Sequence, residues 1–279
     1  MVVNVIDGNT YIGYGDWNNN TGPVDLIWFD ANGVKHNAGS VPTEAIWRFN
    51  KIDGKVAGLW IDPKPSYGGW TYADGTQYLL QPHAYHIFDA FQASDGSVYA
   101  AGSAKLPSGS NAGVIWKNGQ IVFYPEERYL GRMYWVREVR GKLYAYYRGS
   151  DGYSGPADYA IYTSRDGERW REAKFYPFCT SHRAPLFEND GKLHCNGYVY
   201  DGSKYQSVGS ASSSFLGDDG VSYFAGRNGD LVSYDSRLRT TTVLKTDESG
   251  IIPVGVGNGY VYGVPSDNPD KKIFRAKLP

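Results

Sequence analysis

Short runs of alternating apolar and polar residues recur from one end of the chain to the other. Most are broken by a polar residue followed by glycine. Ile52-Asp53-Gly54-Lys55-Val56-Ala57-Gly58-Leu59-Trp60-Ile61-Asp62 shows the unit: an apolar strand, a polar–Gly turn, and an alternating strand returning. The same unit reads at Asp7-Gly8, Asp95-Gly96, Arg140-Gly141, Asp190-Gly191, Asp219-Gly220 and Asn258-Gly259. Alternation with period two marks a half-buried strand. An Asp-Gly or Asn-Gly pair between two such runs is a strong hairpin signal, because both turn residues need positive φ. The spacing of the turn glycines centres on about 40 residues, the length of one four-stranded propeller blade. No amphipathic helix of three turns interrupts the series. The pattern predicts an all-β chain folded as a seven-bladed β-propeller, with blades over 2–38, 45–81, 87–124, 133–174, 185–208, 212–245 and 251–277.

The strands of each blade are lettered A to D from the centre outward. The seventh blade counts only A to C before Pro279. A propeller closes its ring or exposes sheet edges. Either the last blade is three-stranded, or a segment upstream of residue 1 completes it. The expectation is one domain over 1–279, cut from a longer protein with Met1 added at the cut.

Composition narrows the function. The 279 residues fit two average domains or one large all-β domain; repeats running end to end favour one. A formal net charge of −1 argues against a nucleic-acid sleeve or an anionic-membrane binder. No apolar run approaches the roughly 20 residues of a membrane span. Met1-Val2-Val3-Asn4 lacks the basic start of a secretory leader. Cys179 and Cys195 make no metal motif and fit either one disulfide or two buried thiols. Asp16-Trp17-Asn18-Asn19-Asn20-Thr21-Gly22 has alternating oxygen ligands but lacks the glycine and closing glutamate of a calcium loop, and reads as an Asx-rich turn. No cofactor and no metal are expected.

In a propeller the A–B and C–D turns share one face, and here they are tight. The B–C and D–A connections share the other face and are longer, and long polar loops on a rigid scaffold are where binding concentrates. That face is expected to carry Asp16, Trp17, Asn18, Asn20, Tyr67, Trp70, Tyr85, Tyr129 and Tyr153. Exposed aromatic rings among Asn, Asp and Arg suit sugars: the ring covers a C–H face, and the polar groups take hydroxyls. The alternative is that these tyrosines pack the loops onto the sheets. The starts of the A strands bring a second set to the channel mouth: Glu44, His86, Arg132 and His182, with Arg183 and Asp89 beside them. Such a ring suits an anionic or polyhydroxylated group, and Glu44 with His86 could do acid–base work. The alternative is a solvated channel of mutually satisfied polar groups.

Ser164-Arg165-Asp166-Gly167-Glu168-Arg169-Trp170 resembles the Asp-box of sialidase-like propellers, in which Ser and Asp brace a C–D turn over a Trp. The resemblance covers one blade and implies structure, not activity. No three-arginine clamp or Tyr–Glu pair accompanies it. A wider likeness is carried by Tyr11-Ile12-Gly13-Tyr14-Gly15-Asp16-Trp17, Asn20-Thr21-Gly22-Pro23-Val24, Pro42-Thr43-Glu44-Ala45-Ile46-Trp47-Arg48-Phe49, Ile52-Asp53-Gly54-Lys55, Ile61-Asp62-Pro63 and His86-Ile87-Phe88-Asp89-Ala90. These resemble minor tail proteins of bacteriophages that infect actinobacteria. The likeness weakens after the third blade. It implies a place in the virion tail, contact with a host cell-envelope glycan and with other tail proteins, and it transfers no catalytic role to any residue. The expected function is a receptor-binding domain; the alternatives are a glycosidase or lyase acting at the channel mouth, and a structural tail module.

Overall fold

The computed structural model describes residues 2–13, 24–41, 45–61, 68–80, 84–125, 131–149, 159–173, 187–195, 197–209, 211, 213–217, 219–225, 231–235, 240–244, 251–265 and 274–278. Within them, 27 strands form seven antiparallel sheets. The first is β1 (Val2–Ile6), β2 (Asn9–Gly13), β3 (Val24–Phe29) and β4 (Lys35–Val41). The second is β5 (Ala45–Ile52), β6 (Lys55–Ile61), β7 (Gly68–Tyr72) and β8 (Gln77–Leu80). The third is β9 (Ala84–Gln92), β10 (Val98–Lys105), β11 (Asn111–Lys117) and β12 (Gln120–Phe123). The fourth is β13 (Arg132–Val139), β14 (Lys142–Arg148), β15 (Tyr159–Ser164) and β16 (Arg171–Glu172). The fifth is β17 (Phe187–Asn189), β18 (Lys192–Cys195), β19 (Tyr198–Tyr200) and β20 (Tyr205–Ser207). The sixth is β21 (Ser213–Leu216), β22 (Ser222–Ala225), β23 (Leu231–Asp235) and β24 (Thr240–Leu244). The seventh is β25 (Ile251–Gly257), β26 (Tyr260–Pro265) and β27 (Phe274–Lys277). Each sheet pairs its strands in chain order, and the sheets are the blades of a seven-bladed β-propeller. The seventh has three strands among the described residues.

The turns show why the chain folds in this rhythm. Asp7-Gly8, Asp53-Gly54, Arg140-Gly141, Asp190-Gly191 and Asn258-Gly259 hold both residues at positive φ, the two-residue turn whose twist matches the strands it joins. Two A–B turns depart from the expected form. At Gly96 and Gly220 only the glycine has positive φ. There the glycine N–H donates to the carbonyl three residues back, Ala93 or Gly217, so one extra residue enters each loop.

Contacts divide the chain into two compact units, one of Met1–Ile12, Trp28–His36 and Phe178–Pro279, the other of Gly13–Ile27 and Asn37–Pro177. In the second, Ile52, Leu59, Trp70, Ile87 and Trp116 form one buried layer, and Tyr99, Ile115, Met133, Val136 and Tyr162 form the next. In the first, His194 is fully buried with its ring stacked near Phe187 (5.3 Å) and Phe224 (6.2 Å). Neither ring nitrogen meets hydrogen-bond geometry with a described residue. Burial pushes its pKa down to about 4; the nearby Asn189 backbone opposes this without being aligned as a partner. Cys195 is buried and disulfide-bonded. Cys179 lies outside the described residues.

The Asp-box-like turn is braced as its sequence implies. The Ser164 hydroxyl donates to Asp166 Oδ1 at 3.0 Å, and Asp166 Oδ1 accepts from the backbone N–H groups of Glu168 and Arg169. Those backbone donors, Arg169 first, hold the Asp166 carboxyl down to about 2. Trp170 is 9% exposed, stacks on Phe123 and donates its indole N–H to the Gly167 carbonyl at 3.0 Å. The turn occupies Ser164 to Trp170, and β16 follows as Arg171–Glu172 alone.

Candidate functional site

Strands β9 and β13 begin at the end of their blades remote from the tight A–B turns. Between these starts lies a cleft of about 490 Å³, lined by Tyr85, His86, Ser103, Asn111, Gly131, Arg132, Tyr134, Arg148 and Gly149. It lies wholly within the larger unit.

Two irregularities in the ladders aim its side chains. The β9–β10 register slips between Ala101 and Gly102 and again between Ser103 and Ala104, which sets Ser103 opposite His86. Bulges re-aim side chains in this way. Gly102 permits the closeness: a Cβ there would meet the His86 carbonyl oxygen at 1.8 Å. His86 Nδ1 then lies 3.1 Å from the Ser103 hydroxyl, which fixes the ring. His86 Nε2 has no hydrogen-bond partner among the described residues. Burial, helped by the nearby Arg132 charge, lowers the His86 pKa to about 4, so the imidazole is neutral at pH 7.

The second irregularity lies on β13. The register with β14 skips from Met133 to Trp135, leaving Tyr134 without a ladder partner and setting Arg132 opposite Arg148. Tyr134 packs on Phe88 with ring centroids 4.7 Å apart. The Arg132 guanidinium lies over Phe88 at 5.7 Å and that of Arg148 over Tyr159 at 5.6 Å. Gly131 opens the mouth, because a Cβ there would meet the Tyr147 hydroxyl at 1.9 Å. No described lining residue is acidic. The described lining therefore brings together two arginines, a fixed neutral histidine, a hydroxyl, an amide and two tyrosine rings.

Charge balance on the neighbouring positions is different. Asp89, fully buried, accepts at Oδ1 from Arg48 and Asn50, both at 3.0 Å. At Oδ2 it accepts from the Val136 N–H and from Arg137. One carboxylate thus ties β5, β9 and β13 together. Burial lowers the Arg137 pKa, and Asp89 opposes that shift.

Of the residues expected to bind, Tyr85, His86 and Arg132 come together in this cleft. Trp70 requires a correction to the expected loop-face aromatic. It lies within β7, is 2% exposed and stacks on Tyr78 at 4.4 Å, so it is a core ring between sheets. Asp16, Trp17, Asn18, Asn20, Glu44, Tyr67, Tyr129, Tyr153, His182 and Arg183 lie outside the described residues. Ser103, Asn111, Tyr134 and Arg148 were not singled out from the sequence. Counting along the hairpins would have come close, since Ser103 and Arg148 each fall within one residue of the ideal partner of His86 or Arg132.

No protein-family model matches the chain, and no curated protein matches it in sequence. Solved structures do resemble it. The β-propeller domain of the Trilobed protease from Pyrococcus furiosus, described as having an open velcro topology, superposes with a TM-score of 0.61 at 11% identity, covering 100% of this chain and 94% of that one. A puromycin-hydrolyzing peptidase from Mycobacterium tuberculosis gives a TM-score of 0.61 at 11% identity; the match covers 100% of this chain and only 54% of the peptidase. An oligogalacturonate lyase in complex with manganese gives a TM-score of 0.61 at 13% identity, covering 98% of this chain and 86% of the lyase. At such identities the likeness establishes the propeller fold alone.

Proposed function

We propose that the chain is a receptor-binding domain of a phage tail that recognises a host cell-surface glycan at its long-loop face. The observation that carries this reading is the cleft at the starts of β9 and β13, where Tyr85 and Tyr134 accompany Asn111, Ser103 and two arginines. Rings with polar groups converging beside them suit the alternating C–H faces and hydroxyls of a sugar. Its place in the virion and its contact with other tail proteins rest on the resemblance to minor tail proteins.

A second reading is favoured by one specific feature. His86 is neutral at pH 7, held by Ser103, and its Nε2 has no partner among the described residues, so that nitrogen can take a proton during polysaccharide cleavage, as a weak base with a pKa of about 4. Both readings are separated by incubating the purified chain with actinobacterial cell-wall polysaccharide. The expected outcome is retention of the polysaccharide with its chain length unchanged. Tyr85→Ala should weaken retention by on the order of 1–3 kcal/mol, the size of a lost aromatic contact, with the melting temperature preserved. Shortening of the polysaccharide that disappears in His86→Ala would replace the binder by the enzyme. Retention indifferent to Tyr85→Ala would remove the site from this cleft.

A further inference from the structure

The fifth and sixth blades meet face to face, and the fifth brings Phe187, His194, Val199 and Gln206 to that face, one from each strand. His194 is fully buried there. Its ring stacks on Phe187 and Phe224 at interplanar angles of 16° and 15°, and tilts against Tyr234 at 6.0 Å. Neither of its nitrogens meets hydrogen-bond geometry with a partner. Two braces flank the ring. Asn189 Nδ2 donates to the Gly220 carbonyl at 2.9 Å and to the Ser222 hydroxyl at 3.0 Å, and the Tyr234 hydroxyl donates to Gln206 Oε1 at 3.1 Å. The four strands of the fifth blade have three, four, three and three residues, and ladders that short do not hold without a packed face.

The groups around the ring do not provide for a charge on it. On its own hairpin the Lys192 charge opposes an imidazolium and the Asp190 charge favours one. Glu188 lies on the other face of the blade and accepts from the Gly191 N–H. Among the described residues the sixth blade sends one titratable side chain to this face, the Tyr234 phenol; Tyr223 and Asp235 alternate to the opposite side of their strands. An imidazolium carries two N–H groups, and neither would find an acceptor here. The aromatic faces attract a cation weakly and do not replace those bonds. A charge kept dry without such bonds is costly, and water solvates it once the two faces part. We infer that the joint between the fifth and sixth blades is an acid-sensitive latch: protonation of His194 among its aromatic neighbours separates the fifth blade from the sixth while the other blades keep their ladders.

The test is backbone amide exchange of the full chain with its disulfide intact, corrected for the pH dependence of exchange itself, from about pH 7 down to about pH 4. Opening that takes up one proton grows about tenfold per pH unit below the ordinary histidine value of about 6.5. Protection of the β17–β20 amides is expected to fall with that slope, and protection of the β5–β7 amides to stay level. In His194→Phe, which keeps a stacked ring and removes the proton site, the acid-induced loss in β17–β20 should vanish. The parent chain supplies a second readout that needs no variant: the His194 ring resonance should titrate in the closed protein with a midpoint near 4. A midpoint near 6.5 would show that the ring already reaches water, and overturns the inference. So does a loss of protection spread evenly over all the blades, or a loss in β17–β20 that persists with the same slope in His194→Phe.

Discussion

Arg137 and Arg132 share strand β13, yet the molecule treats them in opposite ways. Arg137 is buried and shares Asp89 with Arg48, and Asn50 and the Val136 N–H fill the remaining lone pairs of that carboxylate. Arg132 is exposed at the strand's start, faces Arg148, and among the described residues has an aromatic ring beneath it instead of an acid. Burial explains the difference. A charge withdrawn from water must be paired and fully hydrogen-bonded, or it costs several kcal/mol. A charge at the rim keeps its water, and a strand can carry two of them face to face at little cost. The first arrangement joins three blades and leaves no valence for a ligand. The second keeps the Arg132 guanidinium at the exposed rim of the blade.

The sharpest way to break this contrast is to remove the carboxylate of the hub. Asp89→Ala strands two arginines with nothing opposite them and should cost about 3–5 kcal/mol in urea unfolding, without altering the sugar preference of whatever fraction folds. A loss below about 1 kcal/mol would show that Arg48 and Arg137 reach water on their own, and the distinction between hub and cleft would fall. Gly102→Ala comes next. The added methyl meets the His86 carbonyl and should cost about 1–3 kcal/mol as overpacking, while also spoiling the His86–Ser103 contact and so weakening cleft binding. A fully stable variant with intact binding would mean that the bulge does not set the cleft.

Acid provides a third probe. His86 and His194 both have folded-state pKa values lowered to about 4 from an ordinary 6.5. Between those values the unfolded chain binds more protons than the folded one, so stability rises with pH across the window. Acidification from pH 6.5 should therefore lower the melting temperature progressively, with the histidine contribution spent by about pH 4 and that of the Asp166 carboxylate lost below it. Nuclear magnetic resonance should show a His86 midpoint near 4 that moves upward in Arg132→Gln, because Arg132 is the second cause of its depression. A midpoint near 6.5 would place His86 in open water. The smallest effect is expected from Arg132→Gln on the stability of the free protein, within about 0.5 kcal/mol and of favourable sign, as exposed like charges are only weakly coupled. A clear destabilisation would turn Arg132 from a ligand-facing group into a structural one.

How far the site was legible depended on the length scale of the signal. His86 and Arg132 were found because they sit ten or nine residues before a turn glycine, a count a strand carries faithfully, and Tyr85 because it lies in the loop that enters the third blade. Arg148 and Ser103 were missed because the count then fails by one. With Val139 opposite Lys142, an unbroken ladder would set Arg132 opposite Gly149; the skip at Tyr134 sets it opposite Arg148 instead. The slips on β10 likewise give His86 a serine hydroxyl where the unbroken ladder would give it the methyl of Ala104. Trp70 was misread for a related reason. A tryptophan near a loop looks the same in sequence whether the ring points outward or between two sheets, and only the neighbouring blade, through Ile87 and Trp116, decides.

By itself the sequence determined the strands, the seven-bladed order and the braced turn at Asp166. Each of these rests on contacts within a few residues: period-two alternation, turn residues at positive φ, and Ser and Asp oxygens capping nearby N–H groups. Tertiary structure decided which charges are buried and paired and which stay at the rim. That division depends on bulges of a single residue and on which face of a blade its neighbour covers. Both are energies of packing between segments tens of residues apart, as between Asp89 and Arg48 or Arg137, and no local pattern in the chain encodes them.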